Sequence, residues 1–283
     1  MKRNLRLALA FTAALVSILL TTYYYLHQRE YSQQYKTVIN AFHTMQSNYD
    51  ALSYDILKSA LYSYNNQDDI SQGMSQLNSD FADLYNAPLF QEEHYLPLDY
   101  PLIDLGISIA AYNSNIEDYL MLNAGIKNSF VFLLNYTENT YSIFPQEASI
   151  HVDISIIITE LSNMRRLLDS QHLRSVNKHL QNIRDFETTD NKQKAFIQTL
   201  ELHIAYIQHN FPNFVTIITT LQDKKLTREL LNIQDRFNNI AKNDFIMIDK
   251  LALLLLILII TALIVVVNLL LHSQRENIRL KSL

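Results

Sequence analysis

The sequence contains no cysteine and no tryptophan, and its 283 residues include only three glycines and five prolines. The absence of cysteine excludes disulfides, metal–thiolate sites and a thiol nucleophile. So few glycines and prolines leave little room for the turns of a β-rich fold. No glycine-rich phosphate loop and no Gly-x-Ser-x-Gly sequence occur. We therefore predict an all-α chain that is not itself an enzyme and has no catalytic residue and no cofactor.

The histidines form no His-x-x-x-His pair of the kind that binds zinc on a helix. Glu92, Glu93, His94 and Asp99 lie close together in an irregular stretch, where such a set is able to bind a divalent ion. A solvated acidic loop explains the same residues. We favour the loop and predict no metal site.

Two long apolar segments lie near the ends of the chain, at 7–26 and 251–271. A helix needs ~20 mostly apolar residues to cross a membrane. The second segment meets this requirement, and the first ends in Tyr23, Tyr24 and Tyr25, as aromatic residues do at membrane interfaces. A cleaved signal peptide would also begin with basic residues. We favour an uncleaved anchor, because the first segment lacks a small-residue cleavage site.

Basic residues flank the outer ends of both segments, and basic flanks stay in the cytoplasm. We therefore predict a two-pass protein of the bacterial inner membrane. Residues 1–6 and 272–283 are cytoplasmic, residues 27–249 are periplasmic, and two transmembrane helices lie between them. We expect residues 272–283 to be a juxtamembrane segment that continues in a longer protein.

Charge is uneven in the predicted periplasmic segment. Residues 27–160 contain four Lys or Arg and 17 Asp or Glu, whereas residues 161–249 contain 12 and 10. An acidic surface repels nucleic acid, so we predict no nucleic-acid partner. The acidic half either keeps an exported domain soluble or forms an acidic cavity for a cationic ligand or a basic partner.

Apolar residues recur at steps of three and four, which indicates helices throughout residues 27–249. The first helix runs from Tyr23 to Tyr64 and ends at the polar stretch 65–69. Its apolar face consists of Val38, Phe42, Met45, Tyr49, Leu52, Ile56 and Ala60. The remaining predictions are helices at 70–85, 102–136, 150–168, 170–183 (capped by Ser170), 191–207, 212–223 (beginning at Pro212) and from Leu226 onward, with an irregular stretch at 87–101.

Short links between these helices predict antiparallel packing, with the first and last helices side by side. Helices of this length exceed one compact bundle. The predicted fold is therefore all-α: an elongated antiparallel helical bundle in two stacked layers that share the long helices, flanked by two transmembrane helices.

The stretch 116–130 contains Asn123-Ala124, Ile126-Lys127 and Asn128-Ser129, followed by a large apolar residue. This pattern resembles the signature of the DAHL family, a double all-helical sensor domain of bacterial signalling receptors. Residues 56–58 and 66–70 are similar to the first long helix and the following turn of that family. This chain departs from the family pattern at Ala60, Tyr62 and Gln67.

The resemblance, extended to residues 27–249, implies extracytoplasmic sensing and transmembrane signal transduction. Binding of a small molecule or a periplasmic binding protein would reposition helices that continue into the membrane. The resemblance also implies a homodimer and a following output module, such as the histidine kinase of a two-component system or a cyclic-dinucleotide enzyme. The alternative is a stand-alone membrane-anchored interaction or scaffold protein without an output domain.

Asn123 and Lys127 are four residues apart and share a helix face, while Asn128 lies about 140° round the helix from Asn123. A buried amide without a partner costs ~1–3 kcal/mol, so it must either fix helix register or contact a ligand. We predict a register role for Asn123 and ligand contact for Asn128. The candidate ligand-binding residues are Asn123, Lys127, Asn128, Ser129, Asp55, Lys58 and Tyr62.

Overall fold

The computed structural model describes residues 2–62 and 67–281, and these residues are all-helical, with no β-strand among them. The prediction of an all-α protein is confirmed. The α-helices of the described residues are α1 (Lys2–Tyr62), α2 (Gln67–Tyr85), α3 (Asp99–Thr137), α4 (Thr140–Ile143), α5 (Ala148–Leu167), α6 (Leu173–Arg184), α7 (Asn191–Leu221) and α8 (Lys225–Lys281).

The predicted apolar face of α1 is buried along its whole length. None of its seven residues, from Val38 to Ala60, is more than 5% exposed. The predicted end of this helix at Tyr64, and part of the polar stretch after it, lie outside the described residues. The next helix begins at Gln67, three residues before the predicted Ile70, and Asp68 and Asp69 in its first turn favour that earlier start.

The prediction that a new helix begins at Pro212 is wrong, because Pro212 lies inside α7. Proline lacks a backbone N–H and costs ~3 kcal/mol inside a helix. The apolar face nevertheless continues on both sides of it, with Phe211 and Phe214 fully buried. Burying such a side chain contributes ~1.5–3 kcal/mol, so the packed face outweighs the proline.

The stretch 87–101 contains two short 3₁₀ helices, Pro88–Gln91 and Glu93–Leu98. The prolines in it prevent a regular α-helix, yet Leu89, Phe90, Tyr95 and Leu98 are buried. The third helix begins at Asp99 and not at Leu102, because a proline at position 101 fits the first turn of a helix.

The turn between α5 and α6 differs from the prediction in its cap. Leu168 ends α5 in the left-handed conformation, with φ 52° and ψ 38°. The Asp169 side chain then accepts a hydrogen bond of 2.8 Å from the backbone N–H of Gln171. Asp169, and not the predicted Ser170, is therefore the cap at this turn.

The chain divides into two compact units. The first unit contains residues up to 42, residues 83–102 and residues from 231 onward, and the second unit contains residues 43–82 and 103–230. The stacking of two bundle layers stays a prediction.

In the first unit, α1 and α8 run antiparallel and side by side. The ring of Phe237 in α8 lies at the centre of an aromatic core. Its centroid is 5.6 Å from Tyr35, 6.0 Å from Phe42 and 5.4 Å from Tyr95. This core fixes the 3₁₀ segment against both long helices.

In the second unit, α3 packs against α1 and α7, and α5 and α6 form an antiparallel hairpin. Tyr119 of α3 stacks on Phe214 of α7, with ring centroids 5.7 Å apart. Both rings are fully buried. The middle of α3 therefore lies in the core of this unit.

One helix of the described residues is long and apolar enough to cross a membrane. Within 191–269 its most apolar stretch of 18 residues has a mean hydropathy of 3.1 and is 6% buried. The segment of α8 that begins at Leu251 is this most apolar stretch. Several side chains of 7–26 lie outside the described residues, so that membrane segment and the two-pass topology stay predictions.

Candidate functional site

The motif residue Asn123 joins three helices in the core of the second unit. Its side chain is 4% exposed. Nδ2 donates a hydrogen bond of 3.2 Å to Ser59 Oγ in α1, and Oδ1 accepts one of 3.3 Å from Arg165 Nη2 in α5. We call Ser59, Tyr119, Asn123 and Arg165 the Arg165 cluster.

Arg165 is buried, with 5% of its surface exposed. Its Nε donates to the carbonyl oxygen of Ala60 over 3.5 Å. Among the residues that the structure describes, Nη1 has no hydrogen-bond acceptor. Burial lowers the pKa of the Arg165 guanidinium, but arginine stays protonated in proteins. The cluster therefore contains a buried cation.

The Tyr119 side chain does not neutralise the positive charge of Arg165. Its hydroxyl donates to the carbonyl oxygen of Ile56 over 3.1 Å. Burial raises the pKa of Tyr119 to about 12, so the phenol is neutral at neutral pH. Ser59 and Asn123 are neutral side chains too. Within residues 2–62 and 67–281, no carboxylate pairs with Arg165.

The other candidate residues differ in exposure. On α3, Lys127 is half-buried, Asn128 is exposed and Ser129 is 7% exposed. Asp55 and Lys58 of α1 are half-buried. The Tyr62 side chain lies outside the described residues. Asn123 thus contacts Ser59, the residue that follows Lys58, while Asn128 faces solvent. Ligand contact by any of the candidate residues stays a prediction.

Sequence reasoning missed Arg165, Ser59 and Tyr119 as members of the site. One signal was available for Arg165, since it stands four residues after Leu161 and so falls on the apolar face of α5. A basic residue in the last turn of a helix is also favoured by the helix dipole. Because the helix dipole already explains a basic residue at this position, the sequence did not indicate that Arg165 is buried.

A second polar cluster lies in the first unit, around Asp244 of α8. Its Oδ2 accepts hydrogen bonds from the hydroxyls of Tyr31, at 2.9 Å, and Tyr95, at 3.1 Å. The same oxygen lies 2.8 Å from His94 Nε2. We call Tyr31, His94, Tyr95 and Asp244 the Asp244 cluster. It joins α1, α8 and the second 3₁₀ helix.

Both phenols of the Asp244 cluster are neutral. Burial raises the pKa of Tyr31, and its hydrogen bonds to Tyr95 and Asp244 add to the rise. Burial also raises the pKa of Tyr95. The two hydroxyl oxygens are 2.8 Å apart, so when one phenol donates to the other, the second donates to Asp244.

A cavity of about 290 Å³ lies beside Asp244 in the first unit. Glu30 and Glu92 also line it, so its wall is acidic. The His94 ring lies 3.7 Å from the Glu92 carboxylate as well as against Asp244. In the described ranges 2–62 and 67–281, no group of three or more His, Cys, Asp or Glu is placed to hold a metal ion.

Comparison with known proteins adds one match, to a family model. The model described as DAHL domain matches residues 30–244, which is most of the chain. No curated protein and no solved structure matches the chain. The matched residues include both polar clusters and the Asn123–Ser129 motif. The chain therefore belongs to the DAHL domain family and carries the extracytoplasmic sensor domain that its motif predicts.

Proposed function

We propose that this chain is the sensing part of a bacterial transmembrane receptor. Binding outside the membrane shifts α1 against α8, and the segments 7–26 and 251–271 carry the shift across the membrane. The observation that carries this proposal is the continuity of the two helices. α1 runs unbroken from Lys2 to Tyr62 and α8 from Lys225 to Lys281, so each includes an apolar segment and part of the sensor domain.

The surface of the two apolar segments supports a membrane location. Phe11 is 72% exposed and Leu19 61%, while Leu254 is 60% exposed and Leu263 63%. Contiguous exposed apolar surface of this kind marks an interaction site or a membrane. A lipid environment covers these side chains on every side.

The Asp244 cluster supports a coupling between the two helices next to the membrane. Tyr31 lies within two turns of the first apolar segment, and Asp244 lies within two turns of the second. Beside this pair, Tyr35 donates a hydrogen bond of 3.1 Å to Asn238 Oδ1. Sliding α1 along α8 breaks both contacts, so the helices have discrete packings. A ligand changes their populations only if it binds one packing more tightly.

Alkaline-phosphatase fusions test the topology, because this enzyme folds only in an oxidising compartment. We expect activity in living bacteria from a fusion at Asn135 and none from a fusion after Ser282. Activity from the second fusion alone contradicts the receptor proposal.

Disulfide cross-linking tests the coupling. A crevice of about 500 Å³ lies between α1 and α8, with Ser17 on one wall and Ala262 on the other. Cysteines at these two positions report the packing of the membrane segments. Asp244→Ala should change their rate of cross-linking in membranes, because it removes the carboxylate that joins the helices. Asp249→Ala, which removes an exposed carboxylate on the same helix, is the control. Equal rates in the two variants contradict coupling through the Asp244 cluster.

A further inference from the structure

We infer that the Arg165 cluster binds the carboxylate group of a small molecule. This inference rests on the proposed sensing role, and it names the chemical class that the second unit senses.

The guanidinium of Arg165 has unused hydrogen-bonding capacity. A guanidinium carries five N–H donors in a planar fork. The two bonds of Arg165 measure 3.3 Å to Asn123 Oδ1 and 3.5 Å to the Ala60 carbonyl. Both exceed the usual N–H···O distance of ~2.9 Å. Nη1 is buried and finds no acceptor in the described part of the chain. The fork therefore offers donors to a further group.

The positive charge of Arg165 indicates the chemical class of the group that accepts these hydrogen bonds. A buried cation without an anion is strongly destabilising, so the site favours a group that carries negative charge. Both acceptors of Arg165 are neutral, and Tyr119 beside it is neutral as well. A carboxylate supplies one negative charge and two oxygens that match the fork. A phosphate dianion would leave an excess negative charge, since Arg165 is the one cation of this cluster.

The position of the cluster favours a small molecule over a protein surface. Ser59, Asn123 and Arg165 are each at most 5% exposed, so the anionic group has to enter between α1, α3 and α5. The Asn123 amide and the Ser59 hydroxyl then lie beside the bound group.

Thermal melting of the full chain in detergent micelles tests the inference. Sodium acetate and sodium succinate are the probes, and sodium chloride and sodium phosphate at matched ionic strength are the references. We expect the carboxylates to raise the Tm by roughly 2–5 °C through mass action. Arg165→Met should abolish this rise. Its Tm without carboxylate should equal or exceed that of the wild type, because a buried unpaired charge is removed. Arg166→Met, at an exposed neighbouring position, should respond like the wild type.

A second variant keeps the test decisive if Arg165→Met fails to fold. Asn123→Asp places a carboxylate at the atom that already faces Arg165 Nη2. This internal anion should raise the Tm without added carboxylate and should remove the response to acetate and succinate.

Several results would overturn the inference. They are no rise in the wild type, an equal rise with phosphate, an unchanged response in Arg165→Met, and a lowered Tm in Asn123→Asp. The fusion experiment judges the receptor proposal separately. A periplasmic domain that ignores carboxylates refutes the ligand class alone, whereas a domain on the wrong side of the membrane refutes both.

Discussion

His179 and Asp153 join α6 to α5 through a contact of 2.6 Å between the imidazole Nδ1 and the carboxylate Oδ1. His172, in the short 3₁₀ helix Ser170–His172 that precedes α6, makes a similar contact of 2.5 Å with Glu160 of α5, seven residues before His179 and seven after Asp153. The two pairs differ in burial, since the Asp153 side chain is 12% exposed and the Glu160 side chain 24%. Asp153 also accepts a hydrogen bond of 3.1 Å from Asn182.

Asp153→Ala should therefore destabilise the protein more than Glu160→Ala. The first change leaves two donors of α6 without their acceptor, which costs ~1–3 kcal/mol. The second removes a more solvated pair, worth under ~1 kcal/mol. Thermal melting of the two variants side by side checks the order. Equal losses would show that the hairpin draws no more stability from the buried pair than from the other.

Gly125 of α3 lies in close contact with Tyr206 of α7. A Cβ at position 125 would overlap the phenol oxygen of Tyr206 and stand 2.7 Å from its Cζ. Gly125→Ala should therefore destabilise the protein by ~1–3 kcal/mol through overpacking. In a Tyr206→Ala background the same change should stabilise it by up to about 1 kcal/mol, because alanine favours a helix over glycine. A double-mutant cycle by thermal melting measures this reversal of sign, and a penalty that persists without Tyr206 contradicts it.

Thermal melting should also distinguish the role of Asn123 from that of Asn128. Asn123→Ala removes partners of Ser59 and Arg165 in the core, so we expect a loss of ~1–3 kcal/mol. For a domain of this size the Tm falls by roughly 2–10 °C. Asn128→Ala, at an exposed position, should stay within about 0.5 kcal/mol of the wild type. A large loss in Asn128→Ala would contradict our prediction that its amide contacts ligand and does not fix register.

The helices of this protein can be predicted from its sequence because they are determined by residues close together in the chain. Val38 to Ala60 and Val176 to Ile183 repeat apolar residues at helical spacing, and burial of one face follows from that spacing. The start of α7 after Asp190 is readable for the same reason, since the Asp190 side chain accepts a hydrogen bond of 2.8 Å from the Lys192 N–H, two residues away. No partner from another helix is needed in either case.

The candidate site is readable only in part, because it is assembled from three distant segments. The Asn123 motif predicts a buried amide that needs partners, and the structure supplies them from α1 and α5. Nothing local marks Ser59 as the acceptor, and Arg165 resembles an ordinary basic residue at a helix end. The pairing of helices α1, α3 and α5 decides these contacts, and one sequence does not reveal that pairing.

The family resemblance implies that two copies of this chain form a homodimer. If two copies pair along α1, they must use the face that the chain does not bury. In the second unit that face includes Ser47, Ala51 and Tyr54, and Tyr54 is 65% exposed. Small residues beside an exposed aromatic ring allow two helices to approach closely.

Single cysteines at Ser47, Ala51 and Tyr54 should therefore form disulfide-linked dimers of the full chain in membranes. Cysteines at Met45, Tyr49 and Leu52, which are at most 5% exposed, are the matched controls and should not cross-link. The expected yield rises and falls with the helical repeat of ~3.6 residues, because one face of each helix meets its copy. Uniform cross-linking indicates random collision. Its complete absence at the exposed positions indicates a monomer or a different interface, and either outcome refutes pairing through α1.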